Sequence, residues 1–301
     1  MLGKEAAVWM PSGTMAQQIA LRIHCDRRGN QRIAFHPQCH LDVHEERGYA
    51  HLHGLVAELL GSRERLPTPD DLDAVREPLG AVVLELPARE LGGQLPPWQE
   101  LTAFCAKARE REIALHMDGA RLWQCTPFYG RSLDEIADLF DTVYVSFYKD
   151  LGAPAGAMLA GTKTVIDEAR VWQIRHGGRL FTAYPFLIAA ERGLDEVLPR
   201  FPDFVARAKE LAAALGALDR VEIVPNPPQT AMFHLLVHRE LERLNEAALD
   251  IADRTKTFIG HFAATEVPLV QTTELTIGAA SFEVAVDEAC ELYSELLSAS
   301  E

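Results

Sequence analysis

Basic residues are scarce: 29 lysines and arginines stand against 44 aspartates and glutamates, a formal charge of −15 at pH 7, and no Lys/Arg-rich run occurs. A surface of that sign repels phosphate backbones and anionic headgroups, which argues against a nucleic-acid or anionic-membrane partner. Long apolar runs are missing too; none approaches the ~20 residues that cross a bilayer. The opening MLGKEAAVWMPSGTM has no positive cluster leading into an apolar stretch, so no signal peptide is expected. The five cysteines (Cys25, Cys39, Cys105, Cys125 and Cys290) include no C-x-x-C pair, which fits a reduced, cytoplasmic protein. Familiar catalytic signatures are absent as well. Without G-x-x-x-x-G-K-[ST] there is no Walker loop, and without G-x-G-x-x-G a nicotinamide fold has no support. The Pro11-Ser12-Gly13 step is no G-x-S-x-G elbow. Repeats and low-complexity segments are also lacking.

What remains is an ordinary globular composition, 48% hydrophobic and 24% charged over 301 residues. That length gives a prior of about two domains. Short apolar runs alternate with amphipathic stretches over the first two thirds, the βαβ pattern of a mostly parallel sheet. Strands are predicted at 32–35, 81–86, 113–117, 142–147 and 155–160, with helices at 12–22 and 97–112 between them. Past Leu194 the pattern changes to a helix at 204–218, strands at 221–224 and 232–237, and a closing helix at 282–298. The expected architecture is α/β: a large domain over 1–194 with a mostly parallel sheet, and a small α+β domain over 195–301.

Three segments carry the chemistry. Strand 142–147 ends in Ser146-Phe147-Tyr148-Lys149 before a turn built on Gly152, Pro154 and Gly156. A lysine at the C-terminal end of an interior strand sits where α/β sheets bind ligands, and partial burial makes its amine a Schiff-base nucleophile. A surface lysine is the plainer alternative. Strand 113–117 delivers Asp118 in the same way, followed by Gly119-Ala120-Arg121. Asp118 is either a helix cap or the carboxylate that keeps a pyridine nitrogen protonated. Arg121 suits bidentate contact with a phosphate or a carboxylate. The third segment, Ser12-Gly13-Thr14, opens a helix, so it is either a plain cap or an anion site built on free N–H groups. A fourth cluster gathers His36, His40, His44, His51 and His53 around Glu45 and Glu46. H-L-D-V-H is not H-E-x-x-H, so no metal is expected, and His40 is best placed to stack on a flat cofactor.

Four motifs in order, L-G-K-E-A-A-x-x-x-P-S-G-T-M-A at the start, C-H-x-x-x-x-E at 39–45, H-M-D-G-A-R at 116–121 and K-D-L-G-A-P-x-G-x-x-L-A-G at 149–161, resemble the threonine aldolases. These belong to the aromatic amino acid β-eliminating lyase group of pyridoxal 5′-phosphate (PLP) enzymes with the aspartate aminotransferase fold, fold type I. The resemblance runs from residue 2 to about 195. It implies that Lys149 carries the cofactor, Asp118 pairs with the pyridinium nitrogen, His40 stacks on the ring, and Gly13 and Thr14, beside Ser12, hold the phosphate. It also implies that Arg121 contacts the cofactor or the substrate carboxylate, and that the protein is a homodimer or homotetramer. The activity it implies is retro-aldol cleavage of a β-hydroxy-α-amino acid, such as L-threonine or L-allo-threonine, to glycine and an aldehyde. β-Elimination on another amino acid and a degenerate PLP-binding homologue are the alternatives. The resemblance implies an N-terminal arm of a few dozen residues before the L-G-K-E-A-A segment, and the sequence starts inside that pattern. Where they place a histidine after the L-E strand, this sequence has Arg89 and Glu90. For the arginine that grips the phosphate it offers Arg179, in R-H-G-G-R, and the strand at 274–278 lacks the expected carboxylate-binding arginine.

Overall fold

The computed structural model describes residues 1–300. In chain order the elements are β1 (Ala6–Met10), α1 (Gly13–Arg28), β2 (Arg32–Phe35), α2 (His40–Val43), α3 (Gly48–His53), β3 (Val56–Leu59), α4 (Pro69–Ala74), β4 (Ala81–Glu85) and α5 (Trp98–Glu110). There follow β5 (Ala114–Gly119), α6 (Thr126–Tyr129), α7 (Leu133–Asp138), β6 (Thr142–Ser146), β7 (Ala157–Gly161), α8 (Lys163–Arg175) and α9 (Tyr184–Glu196). The last third holds α10 (Phe201–Leu215), β8 (Val221–Val224), β9 (Met232–His238), α11 (Leu241–Thr255), β10 (Ala263–Ala264), β11 (Val270–Thr276) and α12 (Val286–Ala299). No helix among the described residues is long and apolar enough to cross a membrane.

The chain divides into two compact units, Met1–Glu90 with Leu95–Arg200, and Leu91–Gln94 with Phe201–Glu301. The first is built on a seven-stranded sheet in the order β1-β7-β6-β5-β4-β2-β3. Strands β6, β5, β4, β2 and β3 are mutually parallel, while β7 runs antiparallel to both β6 and β1. Every residue of β5 and β6 is buried, as expected of central strands covered on both faces. Helix α1 supplies much of one cover. Ala16, Ile19, Ala20 and Ile23 share a core with Val8, Met10, Leu159 and Ile166, and each large aliphatic side chain so placed contributes ~1.5–3 kcal/mol. Ser12 caps the start of α1 by accepting from the Met15 N–H at 3.3 Å, and Gly29 ends it in the left-handed region at φ 61°. The second unit has a four-stranded antiparallel sheet, β10-β11-β9-β8, packed with α10, and α12 lies against α10 and α11.

Several elements differ from expectation. Strands β1 and β3 are edge strands absent from the sequence reading. Helix α1 runs to Arg28 rather than residue 22. The closing helix starts at Val286, because Ala279–Phe282 form a separate 3-10 turn. The strand read at 274–278 is the C-terminal part of β11, which ends at Thr276.

Candidate active site

Parallel strands deliver their C-terminal ends to one edge of a sheet, and that is where loops collect functional groups. Here β1, β2, β4, β5 and β6 all end on the same edge. They are followed respectively by Ser12-Gly13-Thr14, His40, Arg89 with Glu90, Arg121 and Lys149, while Glu85 and Asp118 lie at the ends of β4 and β5. Five separate stretches of sequence thus converge inside the first unit.

Asp118 is buried, 4% exposed, and its Oδ1 accepts the Ala120 N–H at 2.9 Å. No lysine or arginine pairs with it among the described residues. Glu85 is its register neighbour on β4. Desolvation of the Glu85 carboxyl, with the Asp118 charge beside it, pushes its pKa up to about 7. Glu85 Oε1 accepts the His40 backbone N–H at 2.6 Å, which ties the start of α2 to the end of β4. The His40 ring is held in turn: Nδ1 lies 3.0 Å from Oε1 of Glu45, whose side chain is fully buried and accepts from Gln17 at 3.3 Å and Gln18 at 3.0 Å. Glu45, five residues after His40, is the partner that the histidine cluster hid.

Lys149 sits just past β6, partly buried, its backbone N–H donating to Ser146 Oγ at 3.3 Å. Its Nζ has no polar partner among the described residues. The neighbouring Asp150 pairs with Arg121 at 3.6 Å, which joins the end of β5 to the lysine loop. Sequence reasoning missed Asp150, although it directly follows the lysine. Tyr148 accepts the Gly13 N–H at 3.3 Å, and its hydroxyl meets that of Tyr144 at 3.3 Å. Gly13 admits the second tyrosine: a Cβ built there would lie 2.0 Å from the Tyr144 hydroxyl. The start of α1 and the lysine segment are therefore in contact.

Arg179 is exposed in the loop after α8. The preceding Gly178 packs so closely on Met15 that a Cβ would lie 2.3 Å from its sulfur, which sets the arginine one residue from a contact with the first turn of α1.

A buried carboxylate without a cation, an unengaged lysine amine and a sixteen-residue helix opening with Ser-Gly-Thr at the same edge form a donor set that suits PLP. The cofactor offers a cationic ring nitrogen, a carbonyl for the amine and a dianionic phosphate for the helix start.

Fold and edge together define an α/β protein of the fold type I class. A solved chain from Sphingomonas wittichii, a serine palmitoyltransferase, shares that fold at a TM-score of 0.69 and 15% identity over 99% of this chain and 73% of its own. Two more similar relatives narrow the assignment. A proposed L-allo-threonine aldolase from Listeria monocytogenes superposes with a TM-score of 0.94 at 40% identity, covering 99% of this chain and 83% of that one. Low-specificity L-threonine aldolase 1 of Arabidopsis thaliana is 28% identical over 78% of this chain and 68% of its own length. The protein belongs to the β-eliminating lyase family, whose profile matches residues 1–239. It spans 65% of a second Arabidopsis relative and 54% of the low specificity L-threonine aldolase of Escherichia coli.

Proposed function

We propose that the protein is a PLP-dependent lyase of the threonine-aldolase type, which cleaves a β-hydroxy-α-amino acid to glycine and an aldehyde. The observation that carries this reading is the pairing of an unengaged Lys149 amine with the buried, cation-free Asp118 carboxylate at the ends of adjacent parallel strands. When bound, the cofactor supplies an electron sink for the bond broken at Cα.

The chain's own residues prepare and hold that chemistry. Lys149 anchors the cofactor through its amine. Asp118, fixed by the Ala120 N–H, holds a proton on the ring nitrogen. His40 packs on the ring, and its orientation is set by Glu45 rather than by the ligand. The start of α1 at Gly13 and Thr14 holds the phosphate, with the Ser12 hydroxyl beside it and Arg179 adding positive charge. Arg121 reaches the cofactor or the substrate carboxylate while shared with Asp150. The buried walls of β5 and β6 exclude water beneath the site.

The reading includes a cytoplasmic homo-oligomer. All five cysteines are free, as in a reducing compartment. Around α9, Phe181, Tyr184 and Ile188 are exposed together, an apolar patch of the kind that marks an interface.

The test is direct. Purified protein titrated with PLP develops a visible absorbance band, and L-threonine or L-allo-threonine then yields glycine and aldehyde in equal amounts. Ammonia and a keto acid in place of aldehyde would redirect the assignment to β-elimination, and a band without any turnover would make the protein a cofactor-binding homologue.

A further inference from the structure

Beside His40 lies a second imidazole, His44, with ring centroids 5.0 Å apart and planes at 47°. Each ring has its own carboxylate: Glu45 at Nδ1 of His40, and Glu90 at Nε2 of His44, 2.7 Å away. Glu90 comes from the 3-10 turn after β4 and is braced by Arg89, whose Nη1 donates to the same Oε1 at 2.8 Å. Arg89 Nη1 also lies 3.2 Å from His44 Nε2. The shorter contact decides: Nε2 donates to the carboxylate, and the guanidinium is spent on Glu90. A neutral imidazole has one N–H and one lone pair, so this arrangement leaves the lone pair of His44 on Nδ1.

The two dyads differ in setting. His40 rests on a fully buried glutamate tied to two glutamines, a rigid platform suited to packing on a ring. The His44 side chain is 36% exposed, open to a ligand that arrives from solvent. Arg89 and Glu90 occupy the segment where relatives were expected to present a histidine; here those residues hold the histidine that directly follows α2 instead.

We propose that His44, oriented by Glu90, is the base that removes the β-hydroxyl proton of the substrate, an inference that rests on the aldol cleavage assigned above. In the step the substrate O–H bond breaks and its proton passes to Nδ1. The oxygen pair forms the aldehyde C=O as the Cα–Cβ pair is left on Cα. Cα then takes a proton from water while His44 gives its own back, so one amino acid yields glycine and one aldehyde. Glu90 stabilises the imidazolium formed in between, with Arg89 and His40 the other charged or titratable groups facing the ring.

The test compares two reactions of the PLP-loaded enzyme. His44→Asn should cut kcat for aldehyde release about 10²-fold or more, the loss expected for a positioned base. Exchange of the glycine α-proton for deuterium, which involves no β-hydroxyl, should stay near wild type. Glu90→Gln should lower kcat less than His44→Asn does, because the ring stays in place but loses the carboxylate that orients it. Nitrogen-15 spectra of the protein without PLP give a readout independent of turnover: His44 should be the Nε2–H tautomer, and should lose that preference in Glu90→Gln. Undiminished aldehyde release in His44→Asn overturns the base alone, as does an equal loss of both reactions. Wild-type protein that binds PLP but releases no aldehyde overturns the reaction and its base together.

Discussion

Lys149 and Asp118 make opposite demands on the fold. A lysine with no polar partner at Nζ contributes little to stability, so Lys149→Ala should unfold at nearly the wild-type denaturant concentration while the visible band with PLP disappears. A retained band would show that another amine carries the cofactor. Asp118→Ala removes the buried acceptor of the Ala120 N–H. Leaving that donor unsatisfied costs ~1–3 kcal/mol, which a urea titration reads as a lower midpoint. Loss of the proton-holding group should reduce turnover by about 10²–10⁴-fold and weaken PLP binding. Wild-type turnover in this variant would exclude the assigned role. Both residues were singled out in the sequence because each follows an apolar strand and precedes a glycine turn. Their supports were not. Glu45 stood in the C-H-x-x-x-x-E motif but with no role given to it, Glu85 and Asp150 were given none either, and only the parallel register brings Glu85 beside Asp118, or the lysine loop beside Arg121.

At the level of elements, burial explains both what was read and what was missed. In the first unit the strands found from sequence, β2, β4, β5, β6 and β7, are interior and nearly continuous in apolar residues. Strand β3 was missed because it lies at the sheet edge with Val56 and Leu59 exposed, so its pattern announces no buried face. Helix α1 was cut short because its second half carries His24, a polar residue in a core position. His24 Nε2 and His116 Nδ1 both lie 2.8 Å from Thr142 Oγ1, a buried link between α1, β5 and β6. Burial lowers both imidazoles from 6.5 to about 3, so each stays neutral in the folded protein. Below pH 6.5 the unfolded chain binds protons that the native state refuses. Their contribution is therefore intact above that pH and is lost as pH falls towards the folded values. Each histidine should add ~1.4 kcal/mol per pH unit to the acid slope. Urea titrations at several pH values between 6 and 4.5 should show His24→Gln flattening that slope by about one proton; an unchanged slope would mean that His24 is already charged in the native state.

For the whole molecule, the change of pattern read near residue 195 lies a few residues before the compact-unit boundary at Arg200, whereas the return of Leu91–Gln94 to the second unit has no counterpart in the sequence, since four residues between β4 and α5 carry no periodicity. Association was read only through the family resemblance, and the surface gives it a physical basis. Helix α9 buries Ala190 and Gly193 but leaves Tyr184, Leu187 and Ile188 exposed, with Leu180 and Phe181 exposed just before it. So much apolar area on one element of an otherwise well-packed unit is costly in water and is relieved by burial against another surface. Light scattering after gel filtration should therefore report two or four times the 33.4 kDa chain mass. Phe181→Glu combined with Ile188→Glu places two charges in the patch, where an unpaired buried charge is prohibitive, and should shift the mass to that of one chain. Neither side chain belongs to a core cluster, so the circular dichroism spectrum should be preserved. If the sites are completed across subunits, the monomeric variant also loses aldehyde release while keeping its secondary structure. An unchanged oligomer would move the interface away from α9, and a single-chain mass for the wild type would remove the oligomer altogether.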